Sequence, residues 1–254
     1  MFPWLTETPA DHLNAVQAAA STKWARGDVL ALILDGTLEP GAPIAEAEVA
    51  SRLQVPLGSV QQALRELQDS GLLVPRKPAG FAVRQLKAGE VRDLYQMRGL
   101  LDGFAGRCAA LLGLGPRAAL LTELAAAIDA MFAAASRNDL QAYFGENLRF
   151  HWAIVQATGN QLLCDTYREV VQKAALIRLK NLSQDLGMLA SIAEHVEIAQ
   201  AVRDTDAVRC EALLVRHADD AYARFVRARP ARPRGSRSQP PARAKTQKLV
   251  KTSA

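Results

Sequence analysis

Apolar residues recur at helical spacing along most of the chain, and one short stretch breaks that rhythm. A first helix, entered through Lys23-Trp24-Ala25, carries Val29, Leu30, Leu32, Ile33 and Leu34 and stops at the turn Leu38-Glu39-Pro40-Gly41. A second, short helix covers Glu46 to Leu53, and Gln54-Val55-Pro56-Leu57-Gly58 forms a tight turn after it. Ser59-Val60-Gln61-Gln62 opens a third helix, with Ser59 and Gln62 at the spacing of a capping box. That helix ends at Asp69-Ser70-Gly71. The rhythm then changes to two short runs, Leu72-Leu73-Val74 and Phe81-Ala82-Val83, joined by Pro75-Arg76-Lys77-Pro78-Ala79-Gly80. They predict a small β-hairpin. Two helices across a tight turn, followed by a hairpin, form a winged helix-turn-helix whose second helix can enter a DNA major groove.

From Glu90 to about Val226 the pattern is helical again and predicts a six-helix antiparallel bundle with short connections. Its first helix is expected to bury Leu94, Met97, Leu101, Phe104, Ala105, Cys108 and Leu111. Gly115-Pro116 starts the second helix, which runs to about Ser136, and Asn138-Asp139 caps the third, which ends near Ala157. Gly159-Asn160 starts a fourth to about Leu182, the fifth covers Leu189 to Arg203, and Thr205-Asp206 caps the sixth. The expected fold is mainly α. It comprises an N-terminal extension (1–21), a winged helix-turn-helix (22–85), a helical effector-binding and dimerisation domain (88–226) and a disordered basic tail (227–254).

Polar residues inside apolar stripes carry the chemistry. In the third bundle helix, Asn147 and His151 lie four apart within the stripe Leu140, Phe144, Leu148, Val155. His195 lies among Met188, Ile192, Ala199 and Val202, and His217 among Cys210, Leu213, Leu214, Ala221 and Phe225. Three of the chain's four histidines therefore point into one bundle from three helices. A single buried histidine is usually a core residue satisfied by one hydrogen bond. Three converging imidazoles with an amide oxygen also suit a divalent metal, zinc or nickel foremost, with copper or iron as further candidates. Arg98 borders the buried face of the first bundle helix, where a cation requires an anion; a bundle Asp or Glu could supply it.

Composition and charge adjust this picture. The net charge is +5, yet residues 227–254 hold nine Lys/Arg and no acid, which leaves the rest of the chain at −4. Residues 21–85 carry seven basic and seven acidic residues. A basic tail on an acidic body fits either contact with DNA phosphates or a solubilising segment. Cys108, Cys164 and Cys210 are odd in number and widely spaced, so they read as thiols and not as bridges or zinc ligands. No apolar run reads as a membrane span or a signal peptide, so a cytoplasmic protein without a membrane partner is expected.

In order and spacing these pieces resemble the GntR superfamily of bacterial transcription regulators, in its FadR-like subfamily with a C-terminal FCD ligand-binding domain. The resemblance covers about residues 22–226. It rests on Gly36-x-Leu38-x-Pro40-Gly41, Ala63-Leu64-x-x-Leu67-x-x-x-Gly71-Leu72, Leu94-Tyr95-x-x-Arg98, Asn147-Leu148-Arg149-Phe150-His151, Thr158-Gly159-Asn160, Glu194-His195 and Arg216-His217. It implies a divalent metal held by Asn147, His151, His195 and His217, with a small organic acid, often a carboxylate, beside it at Arg98. Asn147 stands where many relatives carry Asp, which removes a charge from the ligand set. The turn and recognition helix depart further. Relatives commonly read S-R-T-P-V-R-E-A-L where this chain has Pro56-Leu57-Gly58-Ser59-Val60-Gln61-Gln62-Ala63-Leu64. Leu57 and Gln61 stand at arginine positions, and Ala47 at a third. Remaining DNA-contact candidates are Arg52, Ser59, Gln61, Gln62, Arg65, Arg76, Lys77 and Gly80.

The expectation is a ligand-responsive repressor that binds a palindromic operator in double-stranded DNA as a homodimer and is not an enzyme. Two alternatives stand beside it. One is a regulator that has lost specific DNA contacts and works through protein partners; the other is a metal-dependent hydrolase using the same histidines.

Overall fold

The computed structural model describes residues 18–178 and 185–228. Residues 1–17, most of the expected extension, and 229–254, nearly all of the expected tail, lie outside them. The N-terminal region folds as α1 (Ala18–Leu34), β1 (Pro43–Ile44), α2 (Glu46–Leu53), α3 (Leu57–Asp69), β2 (Leu73–Pro75) and β3 (Phe81–Val83). The bundle comprises α4 (Ala88–Ala110), α5 (Leu114–Ser136), α6 (Leu140–Ala157), α7 (Gln161–Arg178), α8 (Asp185–Arg203) and α9 (Ala207–Ala228).

The wing is a three-stranded antiparallel sheet ordered β1-β3-β2. The hairpin pairs Leu73 with Val83 and Pro75 with Phe81, and two residues, Pro43 and Ile44, add the outer strand that the sequence pattern did not reveal. Two residues are too few to display an alternating pattern. Val29, Leu30, Ile33, Val60, Leu64, Leu67, Leu72 and Leu73 form the core under this sheet. Gly71 (φ +75°) ends α3 in the left-handed region, where a side chain would be strained, and turns the chain into β2.

The start of α3 corrects the capping expectation. Pro56 is the N-cap, extended at ψ 139°, and no side chain caps this helix. The helix begins two residues earlier than Ser59, which turns inward and is buried. The other expected caps hold. The Asp139 carboxylate accepts from Ala142 N–H at 3.0 Å, Asn160 Oδ1 from Leu163 N–H at 3.1 Å and Asp206 Oδ1 from Arg209 N–H at 2.9 Å.

The bundle core runs through Leu124, Met131, Phe150, Ile154, Val171, Ile192, Ile198, Val202 and Leu214. Helix α4 corrects the expected stripe. Its buried face is Val91, Tyr95, Arg98, Gly99, Asp102, Gly103, Ala105, Gly106 and Ala109, while Met97, Leu100, Phe104 and Leu111 are exposed. The cause is close packing on α9. A Cβ at Gly106 would lie 2.1 Å from Leu214 Cδ1, and one at Gly103 2.9 Å from Val215 Cγ2. Small residues therefore face α9, and Met97, Leu100, Phe104 and Leu111 are left on the outside.

Helix α5 has the length and apolarity to cross a membrane, which the sequence reading did not register. It packs against α6 and α8, burying Leu120, Leu124, Ala127, Ile128, Met131 and Ala134. The two regions are joined by more than the linker. Leu176 of α7 sits in the core of the winged helix. Arg84 donates to the Gly71 carbonyl at 3.3 Å and pairs with Glu90 at the start of α4.

Candidate metal centre and DNA-reading face

The bundle brings together the predicted Asn147 and three histidines. Helix α6 supplies Asn147 and His151, α8 supplies His195 and α9 supplies His217, all buried. His151 Nε2 lies 3.2 Å from both His195 Nε2 and His217 Nε2, and Asn147 Nδ2 lies 3.0 Å from His195 Nε2. A tetrahedral ion with metal–nitrogen bonds of about 2.0–2.1 Å sets its ligand nitrogens roughly 3.3 Å apart.

The outer ring nitrogens decide what the inner ones can do. His151 Nδ1 faces Asp102 Oδ1 at 3.2 Å, His195 Nδ1 the Ser191 carbonyl at 2.6 Å, and His217 Nδ1 Glu194 Oε2 at 2.6 Å. All three partners are oxygen acceptors, so each Nδ1 carries the proton and donates it. In neutral rings the three Nε2 lone pairs then converge on one point with no proton among them. Burial, the largest influence, holds the rings neutral. It takes His151 down to about 3 and His217 down to about 4 against the upward pull of Asp102 and Glu194, and His195 well below its ordinary value. Facing lone pairs repel, and a cation removes the conflict, so the donor set fits a divalent metal. Asn147 fits as a fourth ligand once its amide is turned to present Oδ1, since its two ends are alike in shape.

Arg98 lies against this cluster and is 3% exposed. Its Nε donates to Asp102 Oδ2 at 3.1 Å, four residues on along α4, while its Nη2 is buried with no hydrogen-bond partner among the described residues. Burial opposes the arginine's charge, but Tyr167 and Asp102 hold it above its ordinary value. Burial likewise acts to raise Asp102, yet His151 and Arg98 hold it well below the carboxylate range. A parallel chain supports His217: Arg224 donates to both Glu194 oxygens, at 2.6 and 3.0 Å, and Glu194 is held down to about 2 against its burial.

Asp102, Ser191 and Tyr167 were not among the residues singled out from sequence, and Glu194 entered only as the neighbour of His195 in the resemblance, with no role. Asp102 had a legible signal, an acid four residues after a buried arginine on one helix. The Ser191 contact is through backbone and leaves none.

On the DNA-reading face the candidates are occupied differently. Gln61 Nε2 donates to Glu46 Oε2 at 3.0 Å, and Arg52 pairs with Asp28. Gln62 and Arg65 are exposed on α3 and joined at 3.4 Å. Arg76 and Lys77 are exposed in the wing turn, which Gly80 closes at φ +91° by accepting from Arg76 N–H at 2.9 Å. Ser59 is 8% exposed and faces the core, so it is set aside as a DNA contact.

Comparison with known proteins completes this picture. Residues 25–83 match the bacterial regulatory proteins of the gntR family, and residues 93–220 match the FCD domain. The chain belongs to the GntR family of bacterial regulators, with an FCD domain. It is 29% identical over 185 residues to the "Probable D-xylose utilization operon transcriptional repressor" of Paenarthrobacter nicotinovorans, spanning 73% of this chain and 80% of that one. It is 28% identical over 182 residues to the Nta operon transcriptional regulator of Aminobacter aminovorans, 70% of this chain and 81% of the other. Two solved structures share its fold, each at a TM-score of 0.72. A GntR regulator from Rhodococcus sp. RHA1 is 22% identical and covers 83% of this chain and all of its own. E. coli McbR/YncC is 19% identical and covers 84% and 99%. This GntR regulator is thus a DNA-binding transcriptional regulator. Its wing and helix-turn-helix follow the family fold, while Ala47 and Leu57 are exposed at positions where the resemblance leads one to expect arginine.

Proposed function

We propose that this regulator is a repressor that senses a small organic acid in its FCD domain and binds a palindromic operator as a homodimer. Asn147, His151, His195 and His217 hold a divalent ion, zinc or nickel, and Arg98 receives the acid's carboxylate. The observation that carries this reading is the meeting of three Nε2 lone pairs beside a buried guanidinium whose Nη2 lacks a partner among the described residues. When bound, the ion supplies a positive charge against which the acid's oxygens can rest. Arg98 orients the acid, and the buried walls exclude competing water.

Helix α7 supports a route to the DNA. Tyr167 lies beside Arg98 and Asp102, and Leu176, nine residues or about 14 Å further along the helix, sits in the winged-helix core. An acid that binds two positions of α7 unequally shifts the population of winged-helix arrangements. The exposed apolar line Met97, Leu100 and Phe104 on α4, continued by Leu111 at its C-cap, supports a homodimer, because it offers one helix face to its own copy. The test is a thermal-shift panel of small carboxylates on the metal-loaded protein. A carboxylate that stabilises the wild type but not Arg98→Ala is expected. No response to any member, with metal present, contradicts the effector reading.

A second reading has its own observation. Glu46 accepts from Gln61, and Asp28 pairs with Arg52, so two candidate DNA contacts meet acids before any DNA is present. That favours a regulator with weak base reading that acts through protein partners. Selection of genomic fragments by the purified protein separates the two, since only the first reading yields an enriched palindrome.

A further inference from the structure

We infer that Asp102 couples the arginine to the histidine cluster by dictating which nitrogen of His151 carries the proton. The inference rests on the metal reading proposed above and adds to it a positioning residue outside the ligand set. Asp102 is fully buried and engaged on both oxygens: Oδ2 accepts from Arg98 Nε at 3.1 Å, and Oδ1 accepts from His151 Nδ1 at 3.2 Å. A carboxylate is the side chain that can accept on both sides at once. Its hold on Nδ1–H keeps the lone pair of His151 on Nε2, 3.2 Å from the Nε2 atoms of His195 and His217. The other two rings are fixed from elsewhere, by the Ser191 carbonyl and by Glu194. His151 alone is therefore tied to the arginine.

An amide in place of Asp102 has one acceptor and one donor. Guanidinium is always a donor, so the amide oxygen must turn to Arg98 and the NH2 to His151. His151 must then accept at Nδ1, and its proton moves to Nε2, where it blocks the metal position. Removing the arginine's donor releases the amide, whose oxygen can turn back to His151. The coupling thus predicts a rescue: a second substitution at the arginine repairs damage done at the aspartate.

The test is zinc affinity of the full-length protein by competition with a chromophoric chelator, with the His151 tautomer read by 15N NMR in metal-free samples. Asp102→Asn should weaken zinc about 10–100-fold, the usual effect of losing a partner to a ligating histidine, and should place the His151 proton on Nε2. Adding Arg98→Met should return affinity to within a few-fold of wild type and the proton to Nδ1. Should Asp102→Asn alone fail to fold, both charges can be removed together. Arg98→Met/Asp102→Asn keeps an acceptor for His151 and should bind zinc at least tenfold more tightly than Arg98→Met/Asp102→Leu, which keeps none. Wild-type affinity in Asp102→Asn, no rescue by Arg98→Met, or equal affinity in the two double variants would overturn the inference while leaving the metal reading intact. A wild-type protein that takes up no zinc would overturn both.

Discussion

The two halves of this regulator use arginine–carboxylate contacts in opposite ways. In the bundle, Arg98 and Asp102 are 3% and 0% exposed, and the carboxylate passes the contact on to His151. In the DNA-binding region, Arg52 and Asp28 are 48% and 21% exposed, and among the described residues no further partner is joined to them. A buried charge is costly unless it is paired, so its partners are held in place and their arrangement can encode a site. A surface pair is surrounded by water and constrains little. The same difference separates the convergent histidines from Gln61, whose partner Glu46 lies on a half-exposed face and could yield it to a base edge.

The largest contrast should come from deleting one arginine in each half. Arg98→Ala leaves Asp102 buried beside His151 without its cation and should cost about 3–5 kcal/mol in denaturant unfolding. Arg52→Ala should cost about 0–1 kcal/mol. Similar losses for the two would remove the distinction drawn between the halves.

The glycines extend the contrast to packing. Gly106→Val drives a side chain into Leu214 and Cys210 at the α4–α9 crossing and should destabilise by about 1–3 kcal/mol. Gly58 lies within α3 with nothing within 4 Å of a built Cβ, so Gly58→Ala should stabilise by about 0.5–1 kcal/mol through helix propensity alone. Thermal melts of both variants check the pair.

DNA affinity sharpens the comparison from the other side. Gln61→Arg restores a guanidinium on the recognition helix and should tighten binding to a guanine-bearing site by about 1–3 kcal/mol, read by fluorescence anisotropy on sequences selected from random DNA. Stability and zinc content should not change.

Acid should separate the halves last and most gradually. The bundle histidines are neutral when folded, His151 down to about 3 and His217 down to about 4, whereas unfolded imidazoles take protons near 6.5. Below about 6.5 the unfolded chain holds more protons than the folded one, so stability of the metal-free protein falls as pH drops from there toward 4. Residues 25–83 contain no histidine, so hydrogen exchange in the winged helix should lack this dependence, provided the two regions open separately.

The same physical contrast explains what could be read from the sequence. His151, His195 and His217 were legible because polar residues inside apolar stripes point inward whatever the neighbouring helices do. Helix α4 was misread because both of its faces are non-polar enough to pass as core. The large residues Met97, Phe104 and Leu111 looked buried, and only the close approach of α9 selects Gly99, Gly103 and Gly106 instead. That approach is a tertiary fact with no local trace. Ser59 was misplaced because Ser-x-x-Gln fits a cap wherever it occurs, while the backbone set at Pro56 had already started the helix. The support given by Asp102 and Glu194 required knowing which acids face which rings, and that depends on three helices at once.

Metal content tests the central claim most directly. Protein purified without a histidine tag or chelator, analysed by plasma mass spectrometry, should carry close to one divalent ion per chain, and His195→Ala should lose it. Metal-free protein that also takes up neither zinc nor nickel on titration would contradict the account, leaving the three imidazoles as core residues.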